Sequence, residues 1–107
     1  MNKNALSNEE KIKLIQHAID NPTTEELYYN LLEDIDGSKY NYFDYMTTAP
    51  INCDVELNRL PEADWALTCA FLTMLLREDH FNNGSLMRRH RNGQVDAILN
   101  RMIELLK

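Results

Sequence analysis

Trp65-Ala66-Leu67-Thr68-Cys69-Ala70-Phe71-Leu72-Thr73-Met74-Leu75-Leu76 is almost wholly apolar, and it runs straight into the polar cluster Arg77-Glu78-Asp79-His80-Phe81-Asn82-Asn83-Gly84. A helix that is apolar all round must be buried, so the first half predicts the helix around which the domain packs. Twelve apolar residues are too few to cross a bilayer, which needs roughly 20. Pro61 suits the first turn of such a helix, where its missing N–H is no loss. The expected span is about residues 61–78.

Around it the spacing predicts further helices. Ser7 and Glu10 form a capping box, opening a helix with Ile12, Ile15 and Ile19 on one stripe and Leu14 and Ala18 beside it; Asn21-Pro22 ends it. Thr23 and Glu26 repeat the box before Leu27, Tyr28, Leu31, Leu32 and Ile35, with Gly37 as the stop. Roughly 25 residues from Asp36 to Leu60 keep no period. So long a structureless run is unusual in a compact domain, so short turns are expected there, one of them over 54–59. Asn83-Gly84 and Asn92-Gly93 bracket a short helix over Ser85–Arg91, and Val95, Ile98, Leu99, Met102, Ile103 and Leu106 mark a terminal amphipathic helix. The expectation is an all-α fold: a single small domain over 1–107, about five helices packed around a central apolar one.

Composition narrows the function classes. Three glycines and three prolines are too few for a sandwich or barrel. A net charge of −6 disfavours generic attraction to nucleic acid or anionic membrane. The charge is uneven: residues 1–64 hold 13 acids and 5 bases, residues 85–107 hold 2 acids and 5 bases. Cys53 and Cys69 are too few for a disulfide scaffold and lack zinc-site spacing. Residues 1–7 contain no apolar leader core. These features lead to the expectation of a cytoplasmic protein with no metal, no cofactor and no membrane partner.

The pattern Leu72-Thr73-x-Leu75-x-Arg77-x-Asp79-x-Phe81-x-x-Gly84-x-Leu86, with Gly93-x-Val95-x-x-Ile98-Leu99-x-Arg101 after it, resembles a family of small uncharacterised prokaryotic helical proteins, a domain of unknown function. Phe43-Asp44-Tyr45 is similar to that family's Phe-Asp-Trp element, and the resemblance covers about residues 43–103. It implies a helical fold and a prokaryotic or phage origin, and it implies no activity. His80 and Asn83 depart from the family's usual arginine and acid, and Arg88-Arg89-His90-Arg91 replaces a stretch that is usually small, aromatic or acidic.

Three clusters are candidate sites. Arg77, Asp79, Phe81 and Gly84 read as a structural motif: Arg77 meets the carbonyl end of the central helix, Asp79 caps the next turn, Phe81 plugs into the core and Gly84 takes a backbone shape closed to other residues. The functional alternative makes Arg77 an anion-binding group beside Asp79 and His80, as in a small enzyme or ligand binder. His80 and His90 have the right acid–base chemistry, but no nucleophile elbow or phosphate loop accompanies them, and no catalytic residue is assigned. Tyr40, Tyr42, Phe43, Asp44 and Tyr45 form an aromatic loop suited to protein contact, with Asp44, Asp54 and Glu56 expected to ring it with charge; alternatively one or two of its rings cap the core. Arg88, Arg89 and Arg91 form a basic face that would contact phosphates or pair with the acidic body. The leading expectation is a non-enzymatic protein-interaction or regulatory domain with a protein partner or self-association. An acidic inhibitor of a host protein is one version, resting on charge alone; nucleic-acid binding through 88–91 is the alternative.

Overall fold

The computed structural model describes residues 6–107, and among them the regular structure is entirely helical. In order these are α1 (Asn8–Asp20), α2 (Glu25–Asp34), a 3-10 turn (Tyr42–Tyr45), α3 (Cys53–Leu57), a second 3-10 turn (Leu60–Glu62), α4 (Trp65–Phe81), α5 (Ser85–Arg91) and α6 (Gln94–Leu106). Residues 1–5, on which most of the expectation about an apolar leader rests, lie outside the described residues.

α4 is the centre, as its composition requires. Cys69, Ala70, Phe71, Leu72, Leu75 and Leu76 have no exposed surface. At about 1.5–3 kcal/mol for each large buried side chain, this run drives the collapse. Its buried Thr68 and half-buried Thr73 return their hydroxyls to the helix itself, with Thr68 Oγ1 donating to the Asp64 carbonyl at 2.6 Å and Thr73 Oγ1 to that of Cys69 at 3.3 Å. The helix lies later than Pro61 suggested. Asp64 accepts the Leu67 amide at 2.9 Å and is the N-cap, while Pro61 belongs to the separate 3-10 turn. A capping carboxylate satisfies an orphan amide and outcompetes a proline that merely tolerates a first turn. Between the two turns of chain, the Ala63 carbonyl receives Nε and Nη2 of Arg101 at 3.0 and 2.8 Å, which ties this joint to α6.

α4 touches α2, α3, α5, α6 and the Tyr42–Tyr45 turn, while α1 closes over α6. The Ser7–Glu10 capping box is formed, with amides donated in both directions at 3.0 and 3.1 Å. The second box is not formed: α2 is capped by Thr24 without a side-chain bond, and Leu27 of its expected stripe is 52% exposed. Gly37 takes part in the stop, its amide donating to the Leu32 carbonyl at 2.7 Å across the end of α2, but it is not the left-handed residue there. The left-handed residue after α2 is Asp36 (φ 63), and a Cβ on Gly37 would sit 2.7 Å from Cys69 Sγ. Gly37 is thus a point of close approach to α4. Gly84 and Gly93, by contrast, adopt φ of 95 and 77 and start α5 and α6 as their Asn-Gly contexts predict.

Candidate functional site

The aromatic loop and the end of α4, far apart in sequence, form one surface. Asn41 Oδ1 accepts the Phe43 amide at 3.3 Å, starting the 3-10 turn that docks on α4. In such a turn residues three apart share a face, so Tyr42 and Tyr45 turn inward while Phe43 and Asp44 turn out. Tyr40 and Tyr42 rest against the core, Tyr45 meets Tyr40 edge-on at 6.3 Å, and Phe43 stands 63% exposed with Asp44 beside it in solvent.

The turn is held from below by a carboxylate. Glu56 is completely buried, and its oxygens accept the Thr47 amide (2.9 Å), the Thr47 hydroxyl (3.0 Å), the Thr48 amide (2.8 Å), the Thr48 hydroxyl and the Arg59 guanidinium. Arg59 also donates to the Tyr45 carbonyl at 2.8 Å and lies over the Phe71 ring. Burial pushes the Glu56 carboxyl up, but the Thr48 and Thr47 donors and Arg59 outweigh it and hold it at about 2, below its ordinary 4.5. Glu56 is therefore an internal clamp and does not ring the aromatics with charge. Asp54 does not either, since it pairs with Arg89. Asp44 alone keeps the expected place.

On α4, Arg77 and His80 face this turn. Two depressions meet at Tyr42 and Arg77. The smaller, of about 150 Å³, is lined by Ile51, Cys53, Met74 and Phe81. The larger and more open one, of about 460 Å³, is lined by Glu25, Tyr29, Tyr40 and His80. Phe81 does not plug the core. As the last residue of α4 it is 78% exposed, with the Arg77 guanidinium 5.8 Å from its ring and His80 edge-on at 5.0 Å. Asp79 turns away to accept the Leu86 amide at 2.9 Å, capping α5 as expected. Arg77, Asp79 and His80 thus do not converge: two line the groove and the third joins helices.

The basic face divides as well. Arg89 is 5% exposed, its fork set on Glu78 (3.0 and 2.8 Å), with further bonds to Asp54 (2.5 Å) and Gln94 (3.0 Å). Arg88 and Arg91 remain in solvent. His90 is drawn inward, its Nε2 2.8 Å from the Tyr28 hydroxyl, and burial lowers its pKa. Neither thiol is activated: burial pushes Cys53 and Cys69 up to about 12.

The sequence profile of a family of unknown function, DUF6508, matches residues 2–107. The chain belongs to this family. The DUF6508 match takes in α1 and α2, well beyond the 43–103 stretch on which the resemblance was first legible. No curated protein and no solved structure matches the chain. In this DUF6508 member no helix among the described residues is long and apolar enough to cross a membrane.

The Glu56–Arg59 clamp, the Tyr28–His90 contact and the Arg101 clamp on Ala63 carried no distinct sequence signal. The three-residue spacing of Glu56 and Arg59 was the one available hint.

Proposed function

We propose that this protein is a non-enzymatic protein-interaction module, and that its contact face is the surface shared by the 42–45 turn and the end of α4. The observation that carries this reading is the pair of exposed rings Phe43 and Phe81 on either side of Tyr42 and Arg77. Aromatic residues and arginine at a depression are the composition of binding hot spots. Phe43 and Phe81 are more exposed than the other large apolar side chains left in water among the described residues, Leu27, Val55 and Met87, and their rings gain most from being covered by a partner. The inhibitor version draws on the net charge of −6, and these rings support a contact anchored by aromatic burial instead. A prokaryotic or phage origin and a cytoplasmic setting, where two unpaired thiols persist, belong to the same proposal.

The test is photo-crosslinking in the organism of origin with a benzophenone amino acid at position 43 or 81. The expected result is one defined protein adduct, together with at least about tenfold weaker binding of that protein by the F43S/F81S variant. Both positions are exposed, so the melting temperature should stay unchanged. If neither position yields a specific adduct, the reading fails. Nucleic-acid binding has less support, because Arg89, the middle of the basic face, is already saturated by two carboxylates.

A further inference from the structure

α4 ends with a cation followed by two acids, Arg77-Glu78-Asp79, yet neither acid reaches the arginine. Glu78 is taken by Arg89 and Asp79 by the Leu86 amide of α5. Among the described residues no carboxylate forms an ion pair with Arg77. The guanidinium lies over the Phe81 ring, 5.8 Å from its centroid, and Arg77 lines the groove together with Tyr29. Arg77 lines both depressions, so its N–H fork is within reach of a group bound there. The tyrosines there, with His80, supply further donors. A guanidinium at the groove whose neighbouring acids are engaged elsewhere matches a planar oxyanion in a bidentate pair.

The charge balance selects which oxyanion. Glu25 stands at the rim of the same groove, and the chain carries a net charge of −6. One arginine matches a monoanion. A phosphate dianion would set its second charge against Glu25 and the acidic body. The depression beside it, reached across Tyr42 and Arg77, is walled by Ile51, Met74 and Phe81 with the Arg89-paired Glu78 at one side, and has room for one aliphatic side chain at about 150 Å³.

We infer that Arg77 anchors a carboxylate subsite, and that the occupant is a short segment of a partner protein presenting an Asp or Glu side chain next to an apolar one. This rests on the protein-interaction reading above and names the chemistry of the partner.

The probe is the capped peptide acetyl-Leu-Glu-Leu-amide, titrated to millimolar concentration into the isotope-labelled full chain and followed by amide chemical shifts. Saturable shifts are expected at residues 42, 77 and 80. Affinity should fall by about tenfold or more for the Gln peptide and for Arg77→Gln, consistent with loss of a charge-assisted pair. Arg77→Lys should fall between, since it keeps charge without the fork, and a phosphoserine peptide should bind no tighter than the Glu peptide. The spectra themselves report whether each variant is folded. Absence of saturable shifts, equal binding of the Gln peptide, an unaffected Arg77→Gln variant or tighter phosphoserine binding would each overturn the carboxylate subsite. The crosslinked protein separates the two claims: if F43S/F81S loses it and Arg77→Gln retains it, the face stands and the subsite does not. Loss with neither variant removes both.

Discussion

Glu56 is the residue whose chemistry reaches furthest. A carboxylate with no exposed surface is tolerated only because five donors surround it. Glu56→Ala would leave Arg59 uncompensated and the Thr47 and Thr48 amides without their acceptor, at a cost of about 3–5 kcal/mol. The acid sensitivity follows from the same contacts. The folded carboxyl is held at about 2 and its ordinary value is 4.5, so its contribution is complete above pH about 4.5 and drains away as the pH falls toward 2. Thermal melts from pH 7 to 3 should therefore steepen below pH 4.5 in the wild type, and Glu56→Gln should flatten that limb. Gly37 makes a second, steric case. Its Cβ would strike Cys69 Sγ at 2.7 Å and press on Leu32 at 3.2 Å, so Gly37→Ala should cost about 1–3 kcal/mol in a denaturant melt. The penalty should shrink in a Cys69→Ala background, a coupling that a double-mutant cycle reads directly.

At the scale of elements, α5 shows what pattern reading reaches and where it stops. Its bounds, Ser85–Arg91, were legible because two Asn-Gly pairs demand left-handed glycines, and that demand is local. The apolar stripe of α6 and the buried face of α4 were legible for the same kind of reason, since period and hydropathy are properties of neighbouring residues. The direction taken by a charge is not local. Nothing in Arg88-Arg89-His90-Arg91 says that the second arginine turns inward to Glu78 and Asp54, 11 and 35 positions away. Phe81 is the mirror case, an apolar residue at a helix end whose rotation about α4 sends it to water. The groove at Tyr42 and Arg77 escaped notice because it needs the aperiodic 36–60 segment to fold back on α4, which only packing decides. The division within α5 makes a sharp prediction. Arg89→Met breaks a buried pair and should lower stability by about 3 kcal/mol or more. Arg88→Ala and Arg91→Ala should stay within about 0.5 kcal/mol. Urea titration of the three variants checks both halves.

For the whole molecule, the acidic first two-thirds and the basic end are separate in sequence but not in space. α6 lies along α1 and α4, Arg89 is neutralised by acids of α3 and α4, and Arg101 is spent on the Ala63 carbonyl. The charge asymmetry that suggests a nucleic-acid-binding tail is largely consumed in holding the fold together. What remains in solvent on α5 is Arg88 and Arg91, on a body of net charge −6. Two phosphate contacts would give a slope of log affinity against log salt of about −2, far short of the many contacts through which DNA-binding proteins hold a duplex. Fluorescence anisotropy with a labelled 20-base-pair duplex (about two helical turns) should therefore show no binding at about 50 mM salt. The same experiment on Arg88→Ala/Arg91→Ala sets the meaning of any other result. Binding that vanishes in that variant would place the function on α5 after all. Binding that persists would locate a positive surface that neither arginine supplies, and an acidic body leaves few places for one.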